Sequence, residues 1–186
     1  IVLAFAETTY GMPNIGNLAT QPSLGVSVAS GSIDGDAHPD LIVGAQAASF
    51  STATSAEGAV LVYLGSANGF GTTPDFVLKG TTTGSRLGQA VAVLDFDGDG
   101  TSDLAIAAPG VAGWAGQVYV CRGGARFSAP ASPPVVLQPS TDCELTISRS
   151  APAFNMFGWA IGRADFDGDG ADDLVIGAPG SGGFLG

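Results

Sequence analysis

Basic side chains are scarce in this chain. Lys and Arg together number 6 against 17 Asp and Glu, for a formal net charge of −11. Without a basic stripe to meet phosphates, nucleic acid is excluded as a partner. There is a single His, His38, and no Lys lies near it in sequence. Nothing therefore resembles a nucleophile with its base and orienting group, and the chain is read as non-catalytic, although a parent protein can be an enzyme. No apolar run approaches the roughly 18 residues that cross a bilayer, so no transmembrane segment is expected. The opening Ile1-Val2-Leu3-Ala4-Phe5-Ala6 is too short for one and lacks the basic leader of a signal peptide. The chain begins without Met, and the expectation is an excerpt of something longer. Cysteine is limited to Cys121 and Cys143, which flank the Pro-rich stretch from Pro130 to Pro139. A disulfide across that stretch and a pair of buried free thiols are both open readings.

The chain is rich in Gly (29) and Pro (11), which leave little room for helices of ordinary length and favour short strands joined by turns. Three stretches fall into register. Leu24-Gly25 leads to SIDGDAHPDLIVGAQ, Leu87-Gly88 to DFDGDGTSDLAIAAP, and Phe157-Gly158 to DFDGDGADDLVIGAP. The opening Gly, the acidic cluster and the closing small-residue triplet keep step each time, as in a solenoid or propeller. Each copy reads as strand, acidic loop, strand, turn, strand. The segments Leu41-Ile42-Val43, Leu104-Ala105-Ile106 and Leu174-Val175-Ile176 are apolar at every position, as in strands covered on both faces. Third strands are expected at Ala59–Tyr63 and 117–120. A turn at Ser66-Ala67-Asn68-Gly69 and fourth strands at Phe76-Val77-Leu78 and Val135-Val136-Leu137 complete the pattern.

The fold class expected is all-β: part of a β-propeller, with four antiparallel strands to a blade. Residues 1–186 form one partial propeller domain. Within it, 1–23 hold the tail of a preceding blade, 24–79 are repeat 1, 87–137 repeat 2, and 157–186 a truncated repeat 3. Three copies are too few to close a ring of about four to eight blades. The open edges therefore call for neighbouring blades of the same protein or for a second chain.

Most of the acidic residues sit in the three loops. In the second loop Asp95, Asp97, Asp99 and Asp103 occupy positions 1, 3, 5 and 9, and Asp165, Asp167, Asp169 and Asp173 repeat this in the third. Like charges packed so closely repel and need a counter-charge. Alternating carboxylates on a tight loop converge, and the position-7 carbonyl of Thr101 or Ala171 can join them. Such an all-oxygen, flexible set suits Ca²⁺ better than Mg²⁺, zinc or copper. An EF-hand would carry Glu at position 12, where Ile106 and Ile176 stand inside apolar strands. The first loop is weaker: Ser32 holds position 1, followed by Asp34, Asp36, His38 at the carbonyl position, and Asp40. Two strong calcium sites and one weaker site are expected.

The residues Phe157-Gly158, DFDGDGADDL and Gly177-Ala178-Pro179 resemble the FG-GAP repeat of the integrin α-subunit propeller, which also occurs in glycosylphosphatidylinositol-specific phospholipase D. The resemblance covers nearly all of residues 24–186. It implies a seven-bladed propeller with calcium between the first and second strands of a blade. Leu24 and Leu87 stand where the motif has Phe, Gln46 where it has Pro, and Ala107 where it has Gly. The resemblance further implies an extracellular, secreted or cell-surface module mediating adhesion or recognition. Its protein or glycan ligand would meet the loops at 46–57, 109–116 and 180–186, with Phe50 and Trp114 as candidate contacts or as local packing. The alternative is the non-catalytic propeller of a phospholipase D-like enzyme.

Overall fold

Short segments that are apolar at every position are stable as strands only when neighbours cover both faces. In the computed structural model, which describes residues 23–50, 56–149 and 154–182, the central strands meet that condition. The first sheet runs β1 (Leu24–Gly31), β2 (Asp40–Ala45), β3 (Ala59–Tyr63) and β4 (Phe76–Lys79), each antiparallel to the last. The second begins with β5 (Val91–Leu94), β6 (Asp103–Ala108) and β7 (Gln117–Cys121). Both β2 and β6 are buried along their whole length.

Next in the chain comes β8 (Val135–Leu137), and it departs from expectation. It does not complete the second sheet; it runs parallel to β4 and becomes the fifth strand of the first. The fourth strand of the second sheet is instead β9 (Leu145–Ser148), paired antiparallel with β7. The reason is covalent and local. A Cys121–Cys143 disulfide ties the end of β7 to the entry of β9, and the intervening chain loops out to the first sheet. There the Val135 N–H donates to the Asp75 carbonyl at 2.9 Å. Val-Val-Leu was the more apolar candidate, but Leu-Thr-Ile-Ser needs only Ile147 to face inward.

The third unit is the hairpin β10 (Ala160–Ala164) and β11 (Asp173–Gly177). The first strands follow one another side by side, with β1 against β5 and β5 against β10. Three sheets thus fan out from a common edge. Between the first two lies the main core. Ile42, Val60, Val62 and Leu78 meet Val93, Leu104, Ile106 and Tyr119, closed below by Ile33 and by Phe127, whose ring stands edge-on to Phe76 at 5.3 Å. On the other face of the second sheet Ala92, Leu94, Ala105 and Val120 receive Ile161 and Leu174 of the hairpin. Burying one such large side chain is worth about 1.5–3 kcal/mol.

The repeated opening Gly now has a reason. Gly25, Gly88 and Gly158 all have φ between 83° and 90°, a left-handed conformation that a side chain strains. A Cβ on Gly88 would clash with the Ala59 carbonyl oxygen, and one on Gly158 would stand 3.0 Å from Ala107 and 3.1 Å from Val118, so at these glycines the next blade lies close against the preceding sheet. The expected tail of a preceding blade at 1–23 lies, apart from Ser23, outside the described residues. No helix among the described residues is long and apolar enough to cross a membrane.

Candidate metal centres

Each acidic loop joins the first two strands of its unit, so antiparallel pairing brings its two ends together. Position 9 opens the second strand, and its carboxylate is pulled inward. Asp40 is fully buried and accepts the Ile33 N–H at 2.7 Å and the Gly65 N–H at 2.8 Å. Asp103 repeats this with Phe96 and Gly123, each at 2.9 Å. One carboxylate therefore ties its own loop to the turn after the third strand. Burial pushes both carboxyls above the usual carboxylate range, and the donated N–H groups pull the other way. Among the described residues Asp173 repeats the first of these bonds, from Phe166 N–H at 2.9 Å.

The other positions form Asx turns that point oxygens at the loop centre. In the second loop Asp97 accepts the Asp99 N–H at 3.3 Å and Asp99 the Thr101 N–H at 2.7 Å, while Asp95 Oδ2 takes the Gly100 N–H at 2.9 Å. The third loop copies it: Asp167 to Asp169, Asp169 to Ala171, and Asp165 to Gly168 and Gly170. Gly98, Gly100, Gly168 and Gly170 have positive φ, which these turns require.

Oxygen atoms of Asp95, Asp97 and Asp99 lie within 4.8 Å of one another, as do those of Asp165, Asp167 and Asp173. Asp103 stands apart from the first set, both oxygens engaged by backbone, and Asp169 from the second. Thr101 and Ala171 sit at position 7 with their N–H groups directed back to Asp99 and Asp169. In the first loop no three carboxylates meet within that distance. Ser32 Oγ donates to the Asp36 carbonyl at 2.7 Å, and Asp34 accepts the Asp36 N–H. Asp36 is turned to His38, accepting its N–H at 2.6 Å with the ring Nδ1 at 3.2 Å, and the backbone bond from His38 lowers its pKa.

The donor set in the second and third loops is all oxygen, which fits a hard cation. One atom points to it: Asp95 Oδ1 is buried and has no hydrogen-bond partner. A buried unpaired carboxylate oxygen costs free energy that a cation would recover. These acidic clusters can therefore hold a metal ion.

Two neighbours escape notice in the sequence. Arg122, just after β7, lies 3.2 Å from Asp97 and offsets part of the charge of the second cluster. Asp172, at position 8 of the third loop, reaches across to the second. Its N–H donates to the Asp95 carbonyl at 2.7 Å, and its carboxylate accepts the Asp95 N–H at 3.1 Å and Arg163 at 2.6 Å. The Asp95 bond and then the Arg163 bond hold its carboxyl below the usual range. Only the doubled Asp of ADDL hinted at it. On the opposite loops, Trp114 stacks under Arg86 at 4.6 Å and Phe50 under Lys79 at 4.5 Å, so both rings are engaged in local packing. Residues 51–55 and 183–186 of those loops lie outside the described residues.

A fan of largely antiparallel sheets, with an acidic loop between the first two strands of each unit, defines a segment of an all-β propeller. The chain is a member of the FG-GAP repeat family, whose pattern matches residues 87–121 and 157–186. It is 36% identical over 169 residues to phosphatidylinositol-glycan-specific phospholipase D of Rattus norvegicus, covering 84% of this chain and 18% of the relative. Integrin alpha-4 of Xenopus laevis is 33% identical over 157 residues, covering 83% and 14%. Integrin alpha-IIb of Mus musculus is 33% identical over 164 residues, covering 84% and 15%. The chain spans less than a fifth of the length of these relatives.

Proposed function

We propose that this chain is a calcium-stabilised propeller segment serving as a recognition module of a secreted or cell-surface protein, and that it carries no catalysis of its own. The buried, unpartnered Asp95 Oδ1 inside an all-oxygen cluster carries the metal reading. Asp95, Asp97, Asp99 and Asp103, with the Thr101 carbonyl, would hold one ion. Asp165, Asp167, Asp169 and Asp173, with Ala171, would hold another. Ser32, Asp34, Asp36, His38 and Asp40 would hold a third more weakly, in keeping with Asp36 being turned to His38. Bound calcium would neutralise carboxylates that otherwise push the first two strands of a unit apart. With free calcium near roughly 1 mM and a Kd of about 0.1 mM, each site adds about 1.4 kcal/mol.

The disulfide supports an oxidising compartment. Kinship with integrin alpha subunits supports recognition of a protein or glycan through the loops opposite the acidic ones. Among the described residues β11 pairs only with β10 and Val175 is 47% exposed, which supports a neighbouring blade or second chain along that edge. The match to a phospholipase D favours a second reading, in which this is the non-catalytic propeller of such an enzyme.

The test is thermal melting in chelator and across a millimolar calcium titration. A saturable rise in Tm of several degrees, lost in Asp99→Ala and Asp167→Ala together, is expected. Melting indifferent to calcium overturns the reading.

A further inference from the structure

The second and third acidic loops are not independent. Asp95, which opens the second cluster, has its carbonyl and its N–H engaged by one residue of the next blade, Asp172. Asp172 directly precedes Asp173, a member of the third cluster. Alongside, a Cβ on Gly98 would stand 3.4 Å from Ala171, so positions 7 and 8 of the third loop rest on positions 1 and 4 of the second. The unpartnered Asp95 Oδ1 lies at this same junction. At the junction before it, position 8 is Ser102, which has no carboxylate to offer.

An ion-binding loop loses conformational freedom when it closes on its ion, and whichever ligand orders a shared element lowers that cost for the other. An ion on Asp173 would fix the adjoining Asp172, which holds both main-chain groups of Asp95, the carbonyl through its own N–H and the N–H through its carboxylate. Arg163 neutralises the added carboxylate, which would otherwise repel the second cluster. Resting on the calcium reading above, we infer that Asp172 is a positioning residue that couples the two metal centres, so that calcium in the 165–173 loop tightens binding in the 95–103 loop. By linkage the reverse holds with the same factor.

Calorimetric titration of the full chain with calcium tests this. Asp167→Ala, which disables the third loop, should weaken binding at the second by about fivefold or more. Asp97→Ala should weaken the third by the same factor. In an Asp172→Ala background, disabling one loop should leave the affinity of the other unchanged within about twofold. Asp172→Asn, which keeps an acceptor for the Asp95 N–H, should restore most of the coupling. A merely structural Asp172 would lower stability without erasing this reciprocity. Should Asp172→Ala not fold, the reciprocal pair of single-loop variants still decides. Binding at both loops with affinities that ignore each other's occupation overturns the coupling alone. Absence of calcium binding at either loop overturns it together with the metal reading.

Discussion

The two junctions between blades are built on different principles. The first and second sheets meet through large apolar side chains, Ile42, Leu78, Leu104 and Ile106 among them, all fully buried. The strap carrying β8 then crosses from one sheet to the other. The second sheet and the third hairpin share a smaller contact, centred on Ala92, Ala105, Ile161 and Leu174, and Val175 on the far side stays 47% exposed. Polar contacts fill the difference there, through Asp172, Asp95 and Arg163. Hydrophobic burial is insensitive to ions, whereas a junction made of carboxylates depends on what neutralises them. The same repeat thus yields one interface built on apolar burial and another that leans on carboxylates and their polar partners.

The largest expected effect falls on the apolar junction. Ile106→Ala should cost about 2–5 kcal/mol in denaturant unfolding with or without calcium. Val175→Ala should stay within about 0.5 kcal/mol, and a comparable loss at both positions would erase the contrast. Removing the disulfide by Cys121→Ser with Cys143→Ser should cost about 2–4 kcal/mol. It should also speed amide exchange in Phe76–Lys79 and Val135–Leu137, and unchanged exchange there would show that β8 holds without its tether. Next come the position-9 clamps. Asp40→Ala leaves the buried Ile33 N–H without an acceptor and should cost about 1–3 kcal/mol even in chelator. Asp99→Ala, on an exposed carboxylate, should matter only when calcium is present. The smallest effect belongs to Val136→Thr on the outer face of the strap, within about 0.5 kcal/mol by the same unfolding measurement.

Much of the architecture was legible beforehand. The uninterrupted apolar runs after each loop became the fully buried β2 and β6, and Ala59–Tyr63 formed β3 with no change of boundary. Of the four Asp at positions 1, 3, 5 and 9 of the second and third loops, three converge: Asp95, Asp97 and Asp99 in one, Asp165, Asp167 and Asp173 in the other. Position 9 reads in the sequence only as a ligand, because two backbone N–H donors from separate turns leave no trace in local sequence. The sheet that takes β8 is hidden for a related reason: apolar character marks Val135–Leu137 as a strand but does not say which sheet offers it an edge.

What the sequence determined by itself is the repeat: its strands, its tight Gly turns and the chemistry of its acidic loops. These depend on residues close together along the chain, where φ preferences, apolar pattern and carboxylate spacing act directly. Tertiary structure alone decided the partners. It paired Cys121 with Cys143, carried β8 to the neighbouring sheet, buried Asp40 and Asp103 on distant N–H groups, and brought Asp172 onto Asp95. Those contacts join residues far apart in the chain: the disulfide and the position-9 clamps form when the strands of one blade pair, and the β8 and Asp172 contacts form where consecutive blades pack together.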